Sequence, residues 1–406
     1  MISLSDVEAA ARALEGHAVH TPLVCSEFFS QERGEHVYLK LENLQRTGSF
    51  KVRGATYKIL RARYRIGPGG VVAASAGNHA QGVALAASAL GVRATIIMPE
   101  TAPLSKQLAT RAYGGRVVLA GTCVADALEH AESVARAEGL VLVHPFDDDD
   151  VMAGQGTVGL EILADLPDVD EVWVPVGGGG LIAGIAAAVK GRRPETKVIG
   201  VQARACPSAL RAREAGQPVA VGPCPTLADG IAVARVGARP FEVIQHCVDG
   251  LVDVDEDAIA AALVHLLERK KVLAEGAGAV TLAALLAEPA QRADGRRIAL
   301  VVSGGNVDLN VLDRILERGL IRGGRILRFT VVLADVPGAL ASLLGVLAQE
   351  RANILHIVHD RLASDVPLGS TRVEVWLETR GLSHGERITD ALKSAGFAAD
   401  GGVASS

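Results

Sequence analysis

Residues 172–189 carry no charge, and Pro175 with Gly177, Gly178, Gly179 and Gly180 cuts that run into two apolar pieces. A proline and four glycines in its middle rule out one membrane-spanning helix, so the run reads as a buried strand, a loop and a buried helix. No transmembrane segment is expected. A strand without a polar face belongs in a parallel sheet covered by helices on both sides.

The same rhythm runs along most of the chain. Ser5 and Glu8 make a capping-box signature ahead of a short helix over 7–14. An apolar strand over 37–41 follows, and the chain breaks at Thr47-Gly48. A helix then begins, with Ser49 suited to cap it. Strands at 71–74, 94–98, 116–119 and 141–143 alternate with helices at 78–90, 103–113 and 123–137. A second series follows Val151, with strands at 171–176, 197–202 and 297–302 and helices at 181–189, 257–268 and 307–316. Two α/β lobes are expected, the smaller over about 50–145, with a ligand site at strand C-termini. After a glycine hinge at 319–324 come strand, helix, two strands and a helix, the order of a small ferredoxin-like unit. A hairpin loop is expected at 364–370 and a disordered tail at 401–406.

At 406 residues, two or three compact units are the prior. A hydrophobic content of 49% and mean hydropathy of +0.28 describe a soluble, core-rich protein. A net charge of -5 gives no electrostatic footprint for nucleic acid or an anionic membrane. The five cysteines Cys25, Cys123, Cys206, Cys224 and Cys247 show no C-x-x-C spacing. Neither a disulfide framework nor a zinc site is expected, and a reduced cytoplasm is the natural home. The N-terminus has no signal pattern.

Four segments carry chemistry. Lys51 falls in the first turn of its helix, where the macrodipole disfavours a second positive charge. A depressed lysine pKa is what imine chemistry with an aldehyde requires; on spacing alone, a surface lysine of an amphipathic helix is the favoured reading, and the rest of the chain has to overturn it. The glycines from Gly177 to Gly180 lie between a strand and a helix, where their N–H groups can converge on a phosphate. No Lys-Ser/Thr follows, so this is not a Walker loop. Ser75-Ala76-Gly77-Asn78-His79 opens a helix after a buried strand and suits a carboxylate or ring oxygen. Ser303-Gly304-Gly305-Asn306 offers a neutral hydroxyl at another strand end.

With these pieces together, the chain resembles the threonine ammonia-lyases, or threonine dehydratases, of the fold type II pyridoxal-phosphate enzymes. The resemblance rests on Lys40-Leu41-Glu42-Asn43-Leu44-Gln45, on Gly48-Ser49-Phe50-Lys51-Val52-Arg53-Gly54-Ala55, and on the glycine, Asn78 and Ser303 segments. Ala274-Glu275-Gly276-Ala277-Gly278 completes it, and it covers about residues 5–320. It implies a two-lobed catalytic domain over 1–320, related to the tryptophan synthase β fold, with pyridoxal 5'-phosphate as cofactor.

The resemblance also assigns roles. Lys51 is the lysine that bonds the cofactor aldehyde and the base at Cα, and Phe50 packs beside the ring. Asn78 faces the phenolic oxygen, and Gly177 to Gly180 with Leu181 hold the phosphate, which is the expected proton donor to the departing hydroxide. Ser303 faces the pyridine nitrogen, and Glu275 lies near the ring. Ser75, Asn78 and His79 receive the substrate carboxylate. A serine does not keep the pyridine nitrogen protonated as an aspartate would, which restrains the electron sink and favours β-elimination. Threonine would give 2-oxobutanoate and ammonia, and serine would give pyruvate.

Alternatives are a serine dehydratase or racemase, a 3-hydroxyaspartate ammonia-lyase, a β-replacing synthase and a non-enzymatic amino-acid-binding regulator. The related racemases carry a serine where this chain has Ala76, and metal-binding carboxylates at the position of Gln202 and near Ser208. No divalent-metal site is expected here. The aspartates at 147–150 read as a solvent-facing helix cap, and His356 and His359 fall on opposite sides of a strand.

Asp335-Val336-Pro337-Gly338-Ala339-Leu340, Ala352-Asn353-Ile354 and His359-Asp360-Arg361 resemble an ACT domain over about 325–403. That resemblance implies an amino-acid effector at Pro337 and Gly338, isoleucine or valine if the enzyme serves isoleucine biosynthesis, and a homo-oligomer, dimer or tetramer.

Overall fold

The computed structural model describes residues 1–289, 295–363 and 365–401 and divides the chain into Met1–Val307 and Asp308–Ser406. In the first unit the apolar runs become β1 (Leu23–Cys25), β2 (His36–Leu41), β3 (Val71–Ala74), β4 (Ala94–Met98) and β5 (Arg116–Leu119). They continue as β6 (Val141–Leu142), β7 (Glu171–Pro175), β8 (Lys197–Ala203), β9 (Gly250–Val254) and β10 (Arg297–Val302). β5-β4-β3-β6 form a parallel sheet, the smaller lobe. The larger sheet runs β1-β2-β10-β7-β8-β9, with only β1 antiparallel.

One strand is placed differently from its sequence neighbourhood. β2 precedes the small lobe in sequence but pairs in parallel with β10 throughout its length. The lysine helix that follows, Lys51–Ala62, therefore starts at the end of the large sheet and packs into the small lobe through Ala55 and Ile59. It crosses the Asp149–Asp165 helix at glycines, since a Cβ on Gly154 would lie 2.6 Å from the Gly54 Cα.

Buried charges anchor the same helix. Arg53 donates to Glu42 at 2.8 and 2.7 Å, to Glu161 at 2.6 and 2.9 Å, and to the Val19 carbonyl. Lys40 adds a 2.7 Å ion pair to Glu161. Burial alone would raise the Glu42 carboxyl, but Arg53 beside it holds it below the usual carboxylate range. The helix start is thus tied to the end of β2 by the fully buried Glu42 and to the Asp149–Asp165 helix by the partly buried Glu161.

Three local expectations are corrected. The first helix is Leu4–Ala13, and its capping box is Ser3 with Asp6, two residues earlier than Ser5 and Glu8. Cys206 and Cys224 form a disulfide. The aspartates cap two helices: Asp148 accepts from Val151 N, and Asp147 accepts from Ala238 N and Arg239 N at the start of Ala238–Cys247. Of that run, Asp148 and Asp150 also hold Lys58, so they do not simply face solvent.

The second unit opens with the helix Leu309–Arg322, which runs through Gly319 where a hinge was expected; Gly323 and Gly324 end it. Then come β11 (Ile326–Ala334), the helix Ala339–Gln349, β12 (Asn353–Asp360), β13 (Ser370–Glu378), the helix Leu382–Ser394 and β14 (Ala399–Asp400). The antiparallel order β12-β13-β11-β14 is ferredoxin-like. β13 alternates buried and wetter residues, as its sequence pattern requires. His356 and His359 pair opposite Trp376 and Val373, which lie on opposite faces of β13. Position 364 of the expected loop and positions 402–406 of the tail lie outside the described residues. Among the described residues, no helix is long and apolar enough to cross a membrane.

Candidate active site

Lys51 is positioned by the strand end on which its helix begins. Gly48 turns the chain at φ 72°, Ser49 bridges Gly304, and Phe50 N donates to the Ser303 carbonyl at 3.2 Å. Phe50 is the residue before the helix, and no side chain caps it. Ser49 therefore does not cap: its backbone is engaged with Gly304, and its buried Oγ has no partner among the described residues. Lys51 Nζ donates to the Pro145 carbonyl at 2.9 Å and lies 5.2 Å from the Phe50 ring centroid. Burial lowers its pKa to about 8, and the Glu275 carboxylate opposes the shift. The expected depression is present, with desolvation rather than the helix macrodipole as its cause.

A chain of side chains faces the amine. Asn78 Nδ2 donates to Glu275 Oε1 at 2.7 Å, while Asn306 Nδ2 donates to Asn78 Oδ1 at 2.8 Å and to the Thr47 carbonyl at 2.7 Å. Burial raises Glu275 to about 7, against the lowering effect of the Asn78 hydrogen bond. Ser303 is buried and donates to the Ala277 carbonyl at 3.3 Å.

Opposite lies the glycine loop. The helix Gly180–Arg192 starts there, with Gly179 in the left-handed region at φ 93°. A Cβ on Gly178 would lie 2.2 Å from the Phe146 ring, so only glycine fits under that side chain. The N–H groups of a helix start with no side chain in front of them form an anion cradle.

The residues assigned to the substrate divide. Ser75 Oγ accepts from Gly77 N at 3.0 Å and stays at the cavity wall. His79 Nε2 is 2.8 Å from the Val143 carbonyl, which only accepts, so Nε2 carries the proton. Burial, with Lys51 nearby, pushes His79 down to about 3, and the ring is neutral. Its Nδ1 is left as a buried acceptor without a partner among the described residues, so the His79 ring cannot donate to a carboxylate. At the start of the Asn78–Ala89 helix, backbone N–H groups can.

Phe50, Lys51, Ser75, Asn78, His79, Gly177 to Gly180, Leu181, Glu275 and Ser303 all line one cavity of about 800 Å³. Sequence reasoning missed Pro145 and Phe146, which lie just beyond β6; their place after a buried strand was the available signal. Asn306 orients Asn78, a task that its place at the end of the Ser303 segment does not announce. The segment from Asp229 to Arg235 also lines the cavity, and Asp229 meets Lys106 across it at 3.0 Å. In the second unit, Gly338 lines a separate cavity of about 210 Å³, and Pro337 does not.

The family model described as "Pyridoxal-phosphate dependent enzyme" matches residues 14–304. The chain belongs to that family. It is 48% identical to an L-threonine ammonia-lyase of Thermotoga maritima over 397 residues, 98% of each chain. An L-threonine ammonia-lyase of Geobacter sulfurreducens is 46% identical over 400 residues, 98% of this chain and 99% of its own. Among solved structures, processed threonine deaminase isoform 2 from Solanum lycopersicum matches with TM-score 0.72 and 39% identity, covering 77% of this chain and 91% of that one.

The site fits the family's cofactor: a buried lysine of lowered pKa, a glycine cradle whose neighbours leave no room for a Cβ, and a neutral serine. Pyridoxal phosphate bound there supplies an aldehyde for Lys51 and an electron sink for the bond broken at Cα. Lys51 would bond the aldehyde, Gly177 to Gly180 with Leu181 would hold the phosphate, and Asn78 and Ser303 would face the ring's polar atoms.

Proposed function

We propose that this enzyme is an L-threonine ammonia-lyase, forming 2-oxobutanoate and ammonia, with L-serine to pyruvate as a second reaction. The observation that carries the reading is the Lys51 amine, buried beside a glycine anion cradle with its pKa near 8. A neutral amine at Cα is a competent base near neutral pH. Lys51 takes the Cα proton, the Cβ–O bond breaks, and the hydroxyl departs as water once it is protonated, so that one proton and one hydroxide leave the substrate together. The released enamine then tautomerises and takes up water, giving the oxo acid and ammonia. Backbone N–H groups at Asn78 and His79 hold the substrate carboxylate, with Ser75 beside them. Ala76 lines the cavity with no proton to give, which favours elimination over racemisation.

Borohydride reduction should trap the cofactor on Lys51, and threonine turnover should release 2-oxobutanoate. A Lys51→Ala variant with undiminished turnover would sink the proposal, as would a protein that takes up no pyridoxal phosphate. Parallel kinetics on serine and 3-hydroxyaspartate separate the alternative substrates.

The second unit is read as an ACT domain, on its ferredoxin-like strand order and its small cavity bordered by Asp335, Gly338, His359 and Thr371. A small amino acid such as isoleucine or valine is the proposed effector, and a cytoplasmic dimer or tetramer the proposed assembly. Calorimetric titration with isoleucine and valine tests the effector; absence of binding to either removes it.

A further inference from the structure

The side-chain amide of Gln202 is fully buried, and every hydrogen-bonding position it has is used. Nε2 donates to the Val176 carbonyl at 3.1 Å and to Ser208 Oγ at 3.4 Å. Oε1 accepts from Ala209 N at 2.9 Å and Leu210 N at 3.1 Å, at the start of the Ser208–Ala215 helix.

Val176 is the last residue before Gly177. Its N–H donates to the Val201 carbonyl at 2.8 Å, so β8 holds both backbone polar groups, one through the ladder and one through Gln202. Consecutive glycines have no side chains to fix their own path, and glycine has the most backbone freedom to lose. The geometry of Gly177 to Gly180 must therefore be imposed from outside: Gly237 N donates to the Gly178 carbonyl at 3.1 Å, and the two flanks fix the ends. One flank is the Gly180–Arg192 helix, and the other is Val176.

We propose that Gln202 is a positioning residue for the glycine loop, holding the Val176 carbonyl so that the loop's N–H groups stay aimed at a phosphate. The proposal rests on the reading that this loop takes the cofactor phosphate. An amide is suited to the task because it offers donors and acceptors from one group. A carboxylate would still accept from Ala209 and Leu210 but would turn lone pairs toward Val176. A methionine would leave the buried carbonyl and both N–H groups unpaired.

The test uses the full-length protein freed of cofactor, with dissociation constants for pyridoxal phosphate and for pyridoxal read from the absorbance of the lysine adduct. Gln202→Glu, which keeps the helix cap, should weaken pyridoxal phosphate about tenfold and move pyridoxal by less than about twofold. Gln202→Met should likewise lower the ratio of pyridoxal phosphate affinity to pyridoxal affinity if it folds. A merely structural role would weaken both ligands together. Gly178→Ala is the loop control. If it lowers the ratio while Gln202→Glu does not, the proposal for Gln202 fails and the phosphate reading stands. If neither variant moves the ratio, the phosphate reading fails and takes the proposal with it.

Discussion

Asn78 Nδ2 donates to Glu275 Oε1 at 2.7 Å, and this bond keeps a buried carboxyl turned toward the cavity that holds Lys51. Burial lifts the carboxyl to about 7 and lowers the amine to about 8, so two groups of opposite tendency titrate close together.

Capture of an aldehyde by Lys51 should therefore rise with pH through about 8, not through the ordinary lysine value. Glu275 supports the charged amine, so Glu275→Gln should move that midpoint lower still. Rates of pyridoxal phosphate uptake against pH measure both, and a midpoint near 10 in the parent protein would refute the assignment.

Arg53→Met should destabilise the first unit by about 3–5 kcal/mol, because Glu42 is left buried without its partner. Denaturant unfolding of the cofactor-free protein measures the loss. A change within about 0.5 kcal/mol would mean that the network relaxes freely.

Acid should weaken the fold through His144. Burial drives this residue down to about 4 from the ordinary 6.5, against the raising effect of Asp147 and Asp148. Between these values the unfolded chain takes up a proton that the folded one refuses, so stability is present above 6.5 and lost as pH falls. His144→Asn keeps an acceptor for Phe146 N and Asp147 N and removes the titration. Its melting temperature should fall less on acidification than that of the parent. Equal falls would assign the acid sensitivity elsewhere.

Ala76→Ser should add a hydroxyl to the cavity wall and with it measurable racemisation of serine, read by chiral chromatography beside pyruvate formation. Unchanged chirality of the remaining serine would show that a hydroxyl at 76 does not reach Cα.

The sequence made the strands legible because buried parallel strands are mostly apolar, and β3, β4 and β10 fall where the runs do; β5, an edge strand with no buried residue, was marked by its short apolar run alone. It placed Lys51 at a helix start because Thr47-Gly48 breaks the chain just before it. The partner of β2 was not legible, since pairing with β10 is non-local and leaves no periodic trace. The helix Gly276–Ala287 is apolar all round, so no amphipathic stripe marks it. Arg53 reads as a solvated charge until Glu42 and Glu161 arrive from other elements. The direction of the His79 ring depends on one carbonyl, Val143, and no residue pattern encodes it.

The bridge from Ser49 to Gly304 also bears on how the protein is made. Synthesis proceeds from the N-terminus, so the reactive lysine leaves the ribosome long before the strand that seats it. Until Gly304 emerges, Lys51 belongs to a nascent segment whose sheet partner does not yet exist. A site seated on this pairing is thus completed only after residue 304 has been synthesised and β10 can pair beside β2.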